Sequence, residues 1–177
     1  MMKYLTVWGL DLTTITFLVS LVVLLGRDSH SWKLFLVLFE FSLSIQIFIT
    51  VGFWIKIWPI VKEMEKYQTA PRYLALILVH SVPLICLVTE YTMNQMPFVR
   101  CHHWVVSIIC ILYIIVNIVV TKLDGPIYPD MKWDSLFNSI YPFGIWIVPL
   151  ISFFMIWKFD ENYKKIQIEK KSNSIII

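Results

Sequence analysis

The chain has 177 residues and a net charge of +3, and 58% of its residues are hydrophobic against 15% charged. An ordinary soluble domain carries roughly a quarter charged residues, and a soluble fold of this size has no interior large enough for so much apolar side chain. The small positive charge is scattered, with neither a basic stripe nor a glycine-rich phosphate loop, so nucleic acid and nucleotides are excluded as partners.

The apolar residues form continuous runs, each near the roughly 20 residues a helix needs to cross about 30 Å of hydrocarbon. Membrane β-strands would instead show segments of about ten residues with alternating polarity. The first run spans Tyr4 to Gly26. It reads as a retained helix, because it lacks the basic leader and small-residue cleavage site of a signal peptide. A polar link, Arg27 to Lys33, leads into the second run, Leu34 to about Trp58, where Trp54, Trp58 and Pro59 mark an interface and a stop. The charged stretch Lys62 to Arg72 belongs in water. A third run covers Tyr73 to about Met93, a fourth Trp104 to Thr121, and a fifth about Leu136 to Trp157. The loop between the last two carries turn chemistry in Gly125, Pro126 and Pro129.

The sequence therefore predicts an all-α integral membrane bundle of about five transmembrane helices, with residues 1–160 as the transmembrane domain and 161–177 as a charged C-terminal tail that frays. Of the 15 Lys and Arg residues, seven fall on one side and eight on the other, so the positive-inside rule leaves the orientation open. Cys86, Cys101 and Cys110 are too few and too scattered for a disulfide framework. His102 and His103 beside Cys101 point to different sides of a helix, so no metal is expected there.

A charged side chain at the centre of a membrane helix costs about 2.5–3.5 kcal/mol on insertion scales, which makes Asp11, Glu40, His80 and Glu90 the residues to examine. Around them lie hydroxyl and amide groups, among them Thr6, Thr13, Thr16, Ser42, Gln46, Thr50, Tyr113 and Asn117. Thr6, Gly9, Thr13, Thr16 and Ser20 share one face of the first helix, at 100° per residue. Close helix packing is the plain explanation of such a stripe, for Gly9, Thr13, Thr16 and Ser20 more than for Thr6. His80 stands three residues before Pro83, whose ring cannot offer an N–H to the Val79 carbonyl. A histidine here also suits a plain hydrogen bond to a neighbouring helix. The alternation of helix direction places Thr6, His80, Asn117 and the loop with Asp124 and Gly125 in the same half of the bilayer. Glu90 lies ten residues, about 15 Å, beyond His80 and is out of its reach.

Several of these segments are similar to those of one family, the androgen-induced and androgen-dependent membrane proteins that hydrolyse fatty acid esters of hydroxy fatty acids. The opening KYLTVWGLDLTTITF resembles that family's W-K-[FY]-[LM]-T segment, with Thr6 at the position of its nucleophile. The second helix ends in FWI, Phe53 to Ile55, as the family's does. HSVPLICLVTE is similar to the family's H-T-x-x-x-P-x-x-x-x-E, with His80 and Glu90 in the same register, and GPIYP, Gly125 to Pro129, looks like its G-x-W-V-Y-P. The resemblance runs from Lys3 to about Trp157. Three departures stand beside it: five spans where the family has six, Ser81 in place of a threonine, and Pro83 two positions early.

The resemblance implies a multi-pass protein of an endomembrane or the plasma membrane. It also implies a lipid ester hydrolase in which His80 takes the proton of Thr6 and the hydroxyl attacks the ester carbonyl. Donors to the oxyanion would come from Asn117, Tyr113, or the Asp124–Gly125 loop, without a metal or other cofactor. The partners are membrane lipids and a lipid ester substrate. A second reading is a non-catalytic structural subunit held among membrane protein partners, and a third, ranked below it for want of a pseudo-symmetric repeat, is a small transporter with Asp11, Glu40 and Glu90 along a path. The hydrolase reading makes a geometric demand: Thr6 and His80 must meet within about 3 to 4 Å and line one elongated apolar cavity. Straight helices starting level would leave the two about 8 Å apart in depth.

Overall fold

The computed structural model describes residues 4–26, 29–64, 69–94, 96–125 and 140–175. Among these residues there is no strand, and five helices are long and apolar enough to cross a membrane. The architecture is an all-α bundle of membrane-spanning helices, as the run lengths predict. In chain order the elements are α1 (Leu5–Gly26), α2 (Ser29–Gly52), a π-helical turn (Phe53–Ile57), α3 (Trp58–Val61), α4 (Ala70–Asn94), α5 (His103–Asp124) and α6 (Ile140–Ile175).

α2 is the hub. It belongs to by far the most buried of the five spans, and α1, α4, α5 and α6 all pack on it. α1 also packs on α4, and α5 on α6. The core follows from this: Phe35, Phe39, Phe41, Leu43, Ile45 and Ile49 of α2 meet Leu87 of α4, Cys110 of α5 and Phe153 of α6. Around this core the other helices turn apolar residues such as Leu24, Ile85 and Met155 outward, as a bilayer solvent allows.

The α1–α2 seam uses the small-residue stripe. A Cβ on Gly9 would lie 3.0 Å from Gln46 Nε2 and press on the Ile49 side chain, so the missing side chain is what lets the two helices approach. Gln46 Nε2 donates to Thr13 Oγ1 at 3.0 Å, and the Thr16 and Ser42 hydroxyls lie 2.7 Å apart.

The helix ends differ from those read from hydropathy. Residues 29–33, expected in a polar link, already belong to α2, and α4 begins at Ala70 rather than Tyr73. Hydropathy marks the hydrocarbon layer, whereas a helix continues into the interface wherever its backbone bonds remain favourable. Pro59 does not stop the second span. The Trp58 N–H donates to the Phe53 carbonyl five residues back, and the widened turn accommodates the proline, so the helix continues to Val61. The charged tail does not fray either: α6 runs to Ile175, supported at its start by Lys158–Glu161 (2.7 Å, i,i+3) and Asp160–Lys164 (2.6 Å, i,i+4).

Candidate active site

Thr6 is the second residue of α1 and His80 the eleventh of α4. Nine residues of difference is about 14 Å of helix, so level starts would keep them apart. Instead α4 begins further out than α1. The Thr6 hydroxyl lies 3.2 Å from His80 Nε2.

The other ring nitrogen decides the direction of that bond. His80 Nδ1 lies 2.8 Å from the Leu76 carbonyl oxygen, one turn back. A carbonyl only accepts, so Nδ1 carries the proton and Nε2 of the neutral ring presents a lone pair, to which the Thr6 hydroxyl donates. The threonines further along the helix behave differently. Thr13, Thr14 and Thr16 each donate to the carbonyl four residues back, at 2.8–2.9 Å, as a packing threonine does.

The π turn shapes the wall behind the imidazole. Phe53, fully buried, stacks on the His80 ring with centroids 3.9 Å apart and planes 11° from parallel. Trp54 Nε1 donates to Ser81 Oγ at 3.3 Å, and Trp58 rests on Tyr73 with centroids 4.6 Å apart. Thr50 Oγ1 donates to the His80 carbonyl at 2.6 Å, next to the Val79 carbonyl that Pro83 cannot serve. His80 is buried and Thr6 half-buried. Sequence marks Thr50 only as one hydroxyl among several in the spans and Phe53 only as part of the FWI at the end of the second run, and neither as a neighbour of His80.

The remaining candidates sit elsewhere. Tyr113 is buried on α5 with its ring edge-on to Trp8 at 5.3 Å, and Trp8 is about 200° around α1 from Thr6. Asn117 is fully buried one turn further along the same face of α5. Depth alone put these two beside the pair; the ring of helices around α2 puts them on the opposite flank of α1. Asp124 is exposed at the end of α5. The Gly125 N–H is already committed, donating to the Thr121 carbonyl at 3.1 Å, while φ of +89° at Gly125 turns the chain out of the helix. Gly125 is thereby removed as an oxyanion donor. Residues 126–129 of the GPIYP segment lie outside the described residues.

A cleft of about 290 Å³ opens between α1 and α5. It is lined by α1 from Leu5 to Ile15, by Phe41 and Ile45 of α2, and by Ile109 and Tyr113 of α5. Neither Thr6 nor His80 lines it, so the expected shared cavity is not this one. Thr6 faces α4 across one flank of the α1–α2 seam, and the cleft lies on the other flank. Asp11 is exposed at the edge of the cleft, well away from the pair.

A second polar cluster lies at the other end of α2. Glu40 is 1% exposed, and its carboxylate accepts from the Val99 N–H at 2.6 Å and pairs with His102 Nδ1 at 2.6 Å. Asp160 accepts from the Phe98 N–H at 3.2 Å and from Lys164 Nζ at 2.6 Å. Two carboxylates on two helices thus hold successive amides of the segment before α5. Sequence marked Glu40 as costly but gave no partner for it, because His102 is 62 residues away. Glu40 is 13 residues, about 20 Å, from Phe53 along the helix, so this cluster fixes the fold and takes no part in the Thr6–His80 site. Among the described residues no group of three or more His, Cys, Asp or Glu could hold a metal ion.

Compared with known protein families, curated proteins and solved structures, the chain matches none.

Proposed function

We propose that the protein is a membrane-embedded hydrolase of lipid esters, with Thr6 as nucleophile and His80 as general base. The observation that carries this reading is the orientation of His80: Nδ1 is tied to the Leu76 carbonyl, and Nε2 is 3.2 Å from the Thr6 hydroxyl. A threonine hydroxyl is a weak nucleophile until a base takes its proton, and a neutral histidine suits that task near neutral pH.

In the first half-reaction Nε2 takes the hydroxyl proton as Oγ1 attacks the ester carbonyl. The C–O bond to the alcohol then breaks, the alcohol leaves with the proton from Nε2, and Thr6 carries the acyl group. Water enters next, gives a proton to Nε2 and attacks the acyl carbon. The carboxylic acid departs and the hydroxyl regains its proton. The Leu76 carbonyl plays the orienting part that a carboxylate plays in many triads, keeping the imidazole in the tautomer that accepts at Nε2. The substrates are amphiphilic esters, including fatty acid esters of hydroxy fatty acids. Their chains stay among the helices and bilayer lipids.

Purified protein assayed against a panel of lipid esters, beside Thr6→Ala and His80→Ala, tests the proposal. It requires hydrolysis by the wild type and its loss in both variants while both stay folded. Equal hydrolysis by the Thr6→Ala protein, or none by any preparation, would leave the pair a packing contact and favour a structural subunit.

A further inference from the structure

The cleft between α1 and α5 is separate from the Thr6–His80 pair, and its shape restricts what can occupy it. Its floor is Phe41 and Ile45 of α2, and its far wall is Ile109 of α5. Between Leu5 and Ile15 it extends ten residues, about 15 Å along α1. Ile15, at its inner end, is 48% exposed on the outer surface of a span that crosses the membrane, so the cleft opens sideways toward lipid. Trp8 and the buried Tyr113, both lining the cleft, meet edge to face at 5.3 Å and join its two walls.

Three kinds of matter could enter such a gap. A helix is about 10–12 Å across, too wide to pass between walls that already touch at Trp8 and Tyr113. Water is held only where a site supplies two to four polar partners, and these walls are almost wholly apolar. What remains is the material the bilayer itself brings to the opening, and one extended hydrocarbon chain matches both the length and the narrowness.

We infer that this cleft is a binding site for one aliphatic chain of a bilayer lipid, inserted methyl end inward between α1 and α5 and resting against the Trp8–Tyr113 contact. The site does not depend on the hydrolase reading, because α1 stands between it and the Thr6 hydroxyl. It gives the protein a lipid-dependent contact between two helices that meet principally through α2.

The test uses the full chain in phosphatidylcholine vesicles that contain a phosphatidylcholine with a diazirine near the end of one acyl chain. After irradiation the labelled peptides are mapped. Labelling of residues 5–15 of α1 and 106–113 of α5 is expected to exceed, several-fold, that of the α4 face around Ile85, which is 61% exposed and meets bulk lipid. It is also expected to saturate as the mole fraction of the probe rises, while the Ile85 signal rises in proportion. Ile45→Trp fills the floor and Ile109→Trp the far wall, and each should lower the cleft signal several-fold without changing the Ile85 signal. Thr6→Ala should leave the cleft signal intact. Linear, unsaturating labelling of the cleft peptides at the Ile85 level would overturn the inference, and so would cleft labelling that survives in a folded Trp variant.

Discussion

The ring of Phe53 lies flat on the imidazole of His80, with centroids 3.9 Å apart and planes 11° from parallel. It is there because the π turn before Pro59 places Phe53, the first residue of the widened turn, against α4. An aromatic pair of this kind contributes about 0.5–1.5 kcal/mol beyond its buried area. If that energy holds the base in plane, Phe53→Leu, which keeps an apolar side chain there, should lower kcat by about two- to tenfold with little change in KM. Steady-state hydrolysis in detergent checks this, and a change confined to KM would contradict it.

A base that works through Nε2 must be unprotonated. Hydrolysis should therefore fall as pH drops through the His80 pKa, since the imidazolium has no lone pair for the Thr6 proton, and it should level off on the alkaline side. The pH–rate profile of a single-turnover reaction from pH 5 to 8 measures this. A flat profile with chemistry rate-limiting would count against His80.

Two threonines on one helix should answer oppositely to substitution. Thr13 is buried and accepts from Gln46 Nε2, so Thr13→Val leaves that amide without its partner and should lower stability by about 1–3 kcal/mol, with kcat nearly unchanged. Thr6 is half-buried with its hydroxyl on His80, so Thr6→Val should abolish hydrolysis at about 1 kcal/mol of stability or less. Thermal unfolding and hydrolysis, measured on both variants, separate the roles.

How far sequence leads is visible in these same residues. Run length and hydropathy give the number and order of the spans, and alternating direction puts Thr6 and His80 in the same half of the bilayer. Depth is one coordinate of two. The angular position of each helix around α2 depends on side-chain packing between distant segments, which is why Tyr113 and Asn117, at a similar depth, stand on the other flank of α1. The Glu40–His102 pair was hidden for the same reason, since it forms only when the segment before α5 folds back onto α2. Phe53 was legible as a residue but not as a wall of the site, because a π turn has no sequence period to announce it. The charged tail reads as frayed until the pairing of Asp160 with Lys164 is seen.

The Glu40 clamp supplies a control. Glu40→Ala leaves the Val99 N–H and His102 without their shared carboxylate and should destabilise the protein by about 1–3 kcal/mol, the cost of a buried donor left unsatisfied. At a temperature where the variant remains folded, its kcat should match the wild type, because the clamp lies about 20 Å along α2 from Phe53. A large loss of kcat in the folded variant would show that the two ends of the bundle are coupled.

The central claim is that Thr6 attacks the ester, and acid-quenched intact-peptide mass spectrometry after brief mixing with a lipid ester tests it most directly. The account predicts a transient acyl adduct on the peptide containing Thr6, absent from the Thr6→Ala protein and strongly reduced in His80→Ala. Turnover of the ester by wild-type protein, with no adduct on Thr6 at any time or with an adduct on another residue, would contradict it.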